Sequence, residues 1–238
     1  MRRTGDTTII DGSYQYNALN SGNSIQRFWH FSKQLTINAH LPPKPTDIIL
    51  DVGCGSGVIS SFLKRSGADV TGIDGNMSAI QFARSMFPEI TFIHGLVDSS
   101  FNIDNKIDKI YCLEVIEHIY RSQATHMLGT FRNILKPDGK VFISTPNYRS
   151  LWPMIEFIMD YLQLAPPLKE HQHVEHYNLS KLRQLCLESG FDIENIATTC
   201  CVAPWIAPIS WKIALRAQLL DQHLPFGSIL NIVLAKSR

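Results

Sequence analysis

The stretch from Ile48 to Gly57 constrains the fold of this chain more than any other. It reads IILDVGCGSG, an apolar run containing one acid that is followed by glycines at every second position. A short apolar run ended by glycines predicts a buried parallel strand, and the glycines predict a tight turn with an open backbone. Residues 58–65 continue at helical spacing, so the predicted unit is a strand, a glycine loop and a helix. Such a unit binds nucleotide-like ligands at the carboxyl end of its strand.

The spacing of the glycines restricts the ligand. A dinucleotide fold has the pattern G-x-G-x-x-G and faces a pyrophosphate, whereas this chain has G-x-G-x-G. Asp51 stands two positions before the first glycine. A carboxylate at that point would repel a pyrophosphate and would suit a cationic ammonium group.

A second acid, Asp74, ends the strand predicted over residues 70–73. An acid about 20 residues beyond a glycine turn accepts hydrogen bonds from ribose hydroxyls. The alternative is a helix N-cap, because Gly75 and Asn76 lead into the next helix.

A dense group of titratable residues follows the strand predicted over 108–113. Glu114, Glu117 and His118 lie within five positions, at the end of the sheet that faces the ligand. Their spacing of i, i+3 and i+4 predicts one helical face. The alternative is a helix N-terminus whose acids favour the helix dipole.

These motifs, with the Thr145-Pro146-Asn147 block after a fifth strand at 140–144, resemble those of class I S-adenosylmethionine-dependent methyltransferases. The resemblance covers residues 45–190, and it is to the ubiquinone-biosynthesis and small-molecule type. It implies an α/β fold with a Rossmann-like, doubly wound sheet of seven strands, mostly parallel with an antiparallel last strand. It also implies S-adenosyl-L-methionine as methyl donor and S-adenosyl-L-homocysteine as product.

The resemblance carries over to a set of donor-binding residues. Asp98 is the nearest candidate for the acid that receives the adenine amino group, although Leu96 stands where family members often carry an acid. The expected donor-binding residues are Asp51, Gly53, Cys54, Gly55, Gly57, Asp74, Gly75, Asn76, Val97, Asp98, Glu114 and Val115.

Methyl transfer is an in-line displacement that needs positioning and, for a hydroxyl acceptor, a base. The candidate bases are His118, His173 and His176, because histidine titrates near neutral pH. Glu114, Glu117 and His118, together with His173 or His176, could instead hold Mg²⁺ or a softer divalent ion. The arrangement is similar to that in ubiquinone-pathway and small-RNA 3′-end methyltransferases, where a metal can orient two adjacent hydroxyls. A third interpretation is that Glu117 and His118 only cap a helix and orient the loop.

The expected domain organisation has two parts. Residues 1–45 form an N-terminal arm and helical cap, in which 1–24 are a loose arm or lid and 25–40 a helix. Residues 46–238 form the methyltransferase domain, with acceptor-facing insertions at about 148–178 and 200–228. Within it we expect a turn at 136–139, a helix at 151–164 and a last strand at 229–235.

Composition narrows the partners. Residues 1–40 and 148–228, which the motifs do not cover, are rich in aromatic and apolar residues, and this suggests a small apolar or lipid-linked acceptor. O-methylation is the favoured reaction. The net charge of +1 argues against nucleic acid, and five cysteines without regular spacing favour the cytoplasm. The apolar stretch at 196–211 is too short and too rich in proline to span a membrane, which leaves peripheral contact. The oligomeric state stays open, and the alternative functions are NAD(P)-dependent oxidoreduction and non-catalytic cofactor binding.

Overall fold

The computed structural model describes residues 11–103, 106–161, 173–221, 224 and 226–237. In these ranges the chain forms one seven-stranded sheet flanked by helices. The strands are β1 (Ile48–Val52), β2 (Asp69–Asp74), β3 (Thr91–His94), β4 (Ile107–Leu113), β5 (Leu135–Pro146), β6 (Phe191–Thr199) and β7 (Ile229–Lys236). The helices are α1 (Tyr14–Asn20), α2 (Ser24–His40), α3 (Val58–Lys64), α4 (Met77–Met86), α5 (Arg121–Ile134), α6 (Trp152–Tyr161), α7 (Leu179–Glu188), α8 (Ala203–Ile206) and α9 (Trp211–Asp221), with a 3-10 turn at Ile116–His118.

The order of strands places a crevice at the centre of the sheet. The order is β3-β2-β1-β4-β5-β7-β6, with β1 to β5 parallel and β7 antiparallel to both of its neighbours. This confirms the predicted Rossmann-like sheet with its antiparallel last strand. The chain winds outward from β1 to β3 and then crosses back to β4, so the carboxyl ends of β1 and β4 form the switch point where such sheets bind ligands.

Helices cover both faces of the sheet, which explains the apolar runs in the sequence. In β4, Ile110 and Cys112 pack on the face covered by α5 and α7, and Tyr111 packs on the opposite face with α3 and α4. Successive residues of a strand point to opposite faces, so a strand buried on both sides has no polar alternation.

One local prediction was wrong. The turn expected at 136–139 lies inside β5, where Leu135 pairs with Ile107 and the next matched pair is Lys140 with Lys109. This irregularity in the register accommodates Pro137 and Gly139 without ending the strand. Of the segment expected to be a loose arm or a lid, the described part contains α1, which packs against α2.

Other boundaries differ from the prediction. The helix expected at 151–164 is observed as Trp152–Tyr161, and residues 162–172 lie outside the described residues. The second insertion contains α8 and α9, neither of which the sequence pattern predicted.

Candidate active site

A cavity of about 650 Å³ opens at the carboxyl ends of β1, β2 and β4. Its floor is the glycine loop after β1, and residues of α2 and of the segment that contains α1 form its opposite wall. The volume lies within the range of about 300–1,000 Å³ that is usual for small-molecule sites.

Two positions of the glycine loop can be occupied only by glycine. Gly53 and Gly55 have φ values of +71° and +50°. A Cβ atom on Gly53 would lie 2.2 Å from a methyl carbon of Val115, and one on Gly55 would lie 2.4 Å from Oε1 of Gln15. Any larger residue would therefore both strain the backbone and close the space above the loop.

Asp74 links the second strand to this loop. Its Oδ2 accepts a hydrogen bond of 2.8 Å from the Gly55 backbone N–H, and its Oδ1 accepts one of 2.7 Å from the Asn76 N–H. Burial raises the pKa of Asp74 although these bonds oppose the shift. The side chain of Asn76, not that of Asp74, caps α4. Asp74 also lines the cavity.

Asp51 does not line the cavity. Its Oδ2 accepts a hydrogen bond of 2.6 Å from the Ser60 hydroxyl of α3, and the side chain is buried. Burial raises the pKa of Asp51 to about 7. The carboxylate thus ties α3 to β1. The sequence predicted that Asp51 would face the ligand, but in this structure it does not line the cavity.

Glu114 is separated from the other titratable residues that follow β4. It has a φ of +54° and lies before the 3-10 turn that holds Glu117 and His118. The expectation that the three share one helical face was therefore wrong. The Lys33 Nζ of α2 contacts Glu114 Oε2 at 2.7 Å, while Glu114 Oε1 has no hydrogen-bond partner among the described residues. Both residues line the cavity.

Glu117, His118 and His173 come together on the cavity wall. One potential ligand atom from each lies within 4.8 Å of the other two. His173 is far away in sequence, and it is brought close because the Val174 and Glu175 N–H groups donate to the Glu117 carbonyl oxygen. This geometry would suit either proton transfer or a divalent ion.

Glu117 is buried, with 1% of its surface exposed. Its Oε2 accepts a hydrogen bond of 3.0 Å from Thr145, and Oε1 has no partner among the described residues. Burial raises the pKa of Glu117 to about 7, although nearby His173 lowers it. A buried carboxylate with an unpaired oxygen is costly unless a ligand completes it.

Two further residues contact His173. Its Nδ1 lies 3.0 Å from Glu156 Oε1 and 2.7 Å from the Tyr148 hydroxyl, which also donates to Glu156 Oε1 at 3.1 Å. Burial would raise the pKa of Glu156, but the hydrogen bond and charge of His173 outweigh it and lower that pKa. His176 stacks on Tyr148 with ring centroids 4.1 Å apart and does not line the cavity.

Aromatic side chains form the rest of the wall near these residues. The rings of Trp29 and Trp152 lie 5.4 Å apart, and Trp152 lies 6.2 Å from the ring of His173. Ile155 and Trp205 complete this apolar part of the cavity. The cavity therefore joins a polar half beside the glycine loop to an aromatic half beside the histidines.

Known proteins resemble this chain in sequence and in fold. A family model described as a methyltransferase domain matches residues 26–196. The chain belongs to this methyltransferase family. The ubiquinone biosynthesis O-methyltransferase of Glaesserella parasuis is 30% identical to this chain over 158 residues, which span 62% of this chain and 66% of the relative. The mitochondrial enzyme of the same description from Schizosaccharomyces pombe is 28% identical over 160 residues, which span 64% of the chain and 57% of the relative. The matches thus cover less than two thirds of these relatives.

Solved structures confirm the class I fold. Magnesium protoporphyrin IX methyltransferase from Synechocystis, with bound S-adenosylmethionine, superposes with a TM-score of 0.62 at 15% identity and covers 99% of both chains. The methyltransferase partner of the Trm112 activator in Haloferax volcanii reaches a TM-score of 0.66 at 17% identity and covers 97% of this chain and 100% of that one. At such identities the likeness shows the fold alone.

Most of the residues expected to bind the donor lie together in the methyltransferase. Those that line the cavity are Gly53, Gly55, Asp74, Gly75, Asn76, Val97, Asp98, Glu114 and Val115. Asp51, Cys54 and Gly57 do not line the cavity. Gly57 has a φ of +80°, and a Cβ atom on it would lie 2.9 Å from the ring of Phe92. Among the expected bases and metal ligands, the structure brings together Glu117, His118 and His173.

Sequence reasoning missed several residues of the site. Lys33 and Gln15 reach the cavity from the N-terminal helices, and no motif marks them. Glu156 carried a weak signal, since it is the only charged residue among apolar ones from Leu151 to Met159. A single acid in such a stretch suggests a buried partner, and here that partner is His173.

Proposed function

We propose that this methyltransferase transfers a methyl group from S-adenosylmethionine to a hydroxyl of a small apolar acceptor. One observation carries the proposal: the glycine loop with Asp74 and the aromatic wall with His118 and His173 line one continuous cavity. Donor and acceptor would then meet inside a single site, which in-line transfer requires.

The residues of the polar half fit the donor. Gly53 and Gly55 keep the backbone accessible, and Asp74 supplies a carboxylate for the ribose hydroxyls. Val97 is buried and Asp98 is exposed at the rim, a pairing that suits an adenine ring with its amino group. Glu114 offers its unpaired Oε1 to a cationic ammonium group. When bound, the donor supplies an electrophilic methyl group on a positively charged sulfur.

In the aromatic half, His118 and His173 both line the cavity, and in this proposal either ring removes the proton of the acceptor hydroxyl. Their ring centroids lie 5.0 Å apart, and His176 is set apart from them. Glu117, His118 and His173 also form a donor set that fits a divalent ion, with Glu117 Oε1 unpaired beside them. Such an ion would orient a pair of adjacent oxygens and lower the pKa of a bound hydroxyl.

The aromatic half favours an apolar or lipid-linked acceptor of the quinol-precursor type. Trp29, Trp152 and Trp205 supply apolar area, and Trp205 is 39% exposed at the mouth. On the outer side of α6, Phe157 and Tyr161 are 55% and 77% exposed. These side chains support peripheral contact with a membrane while the protein takes its acceptor. Among the described residues, no helix combines the length and the hydrophobicity that crossing a bilayer requires.

A comparison of acceptors tests this proposal. With labelled S-adenosylmethionine, catechol-like quinol precursors and lipid-linked acceptors should be methylated at least about tenfold faster than free sugars or peptides. The reason is that burial of apolar groups contributes about 25 cal/mol per Å², so an acceptor that covers the tryptophans gains binding energy. The reverse ranking would contradict the apolar acceptor.

Removal of divalent ions tests whether a metal ion acts at Glu117, His118 and His173. If an ion orients the acceptor, dialysis against EDTA should lower turnover by about 10- to 100-fold, and added Mg²⁺ or Zn²⁺ should restore it. The affinity for S-adenosylhomocysteine should stay within threefold of the untreated protein, because Glu117, His118 and His173 lie outside the polar half of the cavity. Full turnover after EDTA treatment would leave the histidines as bases and exclude the metal.

A further inference from the structure

We infer that Glu156 and Tyr148 are positioning residues that fix His173 in one tautomer, with the proton on Nδ1 and the lone pair of Nε2 left for the cavity. The inference deepens the proposed function, because it names the atom of His173 that meets the acceptor or a metal ion. It is carried by the hydrogen bonds around the ring, and neither residue belongs to the sequence motifs.

The hydrogen-bond geometry decides the tautomer. Glu156 Oε1 lies 3.0 Å from His173 Nδ1 and can only accept when it is ionised. An unprotonated Nδ1 would place two lone pairs against each other at that distance, so Nδ1 must carry the proton. The Tyr148 hydroxyl donates to the same Glu156 oxygen, which leaves its own lone pair free to accept from Nδ1 at 2.7 Å.

The position of Glu156 supports a dedicated role. The residue lies on α6 between Ile155 and Phe157 and is only 5% exposed. Burial of a carboxylate costs several kcal/mol in free energy unless hydrogen bonds compensate it. Its compensating partners are Tyr148 and His173, whose side chain is only 6% exposed in this contact. A carboxylate behind a histidine is the usual way in which proteins orient a ligating or basic imidazole.

Helix α6 also connects the aromatic half of the cavity to His173. Trp152 and Ile155 line the cavity from the same helix as Glu156, and the Trp152 ring lies 6.2 Å from that of His173. α6 therefore supplies both the apolar surface for the acceptor and the carboxylate that orients the histidine beside it.

Nitrogen-15 NMR of the histidine rings tests the inference without any assay of activity. Spectra of the full chain with labelled histidine, recorded with EDTA present and at a pH where the ring of His173 is neutral, should show a protonated Nδ1 and an unprotonated Nε2. In Glu156→Leu the Tyr148 hydroxyl becomes free to donate to Nδ1, so the proton should move to Nε2. Glu156→Gln keeps the shape and should give a mixture of both forms, which serves if the leucine variant does not fold.

Kinetics add a second readout. Both Glu156 variants should lower kcat by about 10- to 100-fold, the range for residues that orient a catalytic histidine, with KM for the donor unchanged. Glu194→Gln is the control, because Glu194 forms an exposed ion pair with Lys140. A wild-type His173 that is protonated on Nε2, or Glu156 variants with the wild-type tautomer and kcat, would overturn the inference. The expected tautomers in a protein without methyl-transfer activity would remove the proposed function and leave the positioning role.

Discussion

Replacement of Asp74 by alanine should weaken the binding of S-adenosylhomocysteine by about 100- to 1,000-fold. A hydrogen bond to a charged group contributes about 1.5–3 kcal/mol, so two ribose contacts in the lower part of that range contribute about 3–4 kcal/mol. At about 1.4 kcal/mol per tenfold change, their loss corresponds to about 100- to 1,000-fold. The Gly55 N–H also loses its acceptor, so the loop is less well ordered for the ligand. Isothermal titration calorimetry measures the effect.

Asp98→Ala is the matched comparison for this prediction. Asp98 also lines the cavity, but its carboxylate is exposed and already accepts from the Ser100 N–H and hydroxyl. Its loss should weaken binding by less than about tenfold, because exposed contacts compete with water. An Asp74→Ala protein that remains folded and binds within threefold of the wild type would exclude the ribose role.

The second large effect is expected at the histidines. His118→Ala and His173→Ala should each lower kcat by about 10²- to 10⁴-fold, the usual contribution of a positioned acid or base. His176→Ala should cost less than about tenfold, since His176 stacks on Tyr148 outside the cavity. Single-turnover rates with a quinol-type acceptor measure these differences.

Donor binding provides the control for the histidine variants. The affinity for S-adenosylhomocysteine should stay within threefold of the wild type in all three, because none of the three histidines lies in the polar half of the cavity. Equal losses in all three variants would mean that the rings act through packing, and a larger loss in His176→Ala would reverse the assignment.

The fold and most residues in the polar half of the cavity could be predicted because their signals are local. The glycine spacing after β1 and Asp74 at the end of β2 depend on backbone requirements that are visible within a few residues. The same holds for the strands, whose apolar runs follow from burial on both faces of the sheet. These features can therefore be recognised from a single sequence.

The aromatic half of the cavity could be predicted only in part, because long-range contacts build it. Glu117 and His118 were visible after β4, but their contact with His173 depends on backbone hydrogen bonds from residues 174 and 175. The pairing of Lys33 with Glu114 depends on how α2 packs on the sheet, and no spacing records it. Asp51 shows the converse, since its position in the motif did not reveal that its carboxylate would face Ser60.

The most direct test of the donor site is calorimetry of the folded wild-type chain with S-adenosylhomocysteine and, separately, with NADH. The glycine loop and Asp74 predict one molecule of S-adenosylhomocysteine bound per chain and at least about 100-fold weaker binding of NADH, whose pyrophosphate the G-x-G-x-G loop does not suit. An absence of heat with S-adenosylhomocysteine, or tighter binding of NADH, would contradict it.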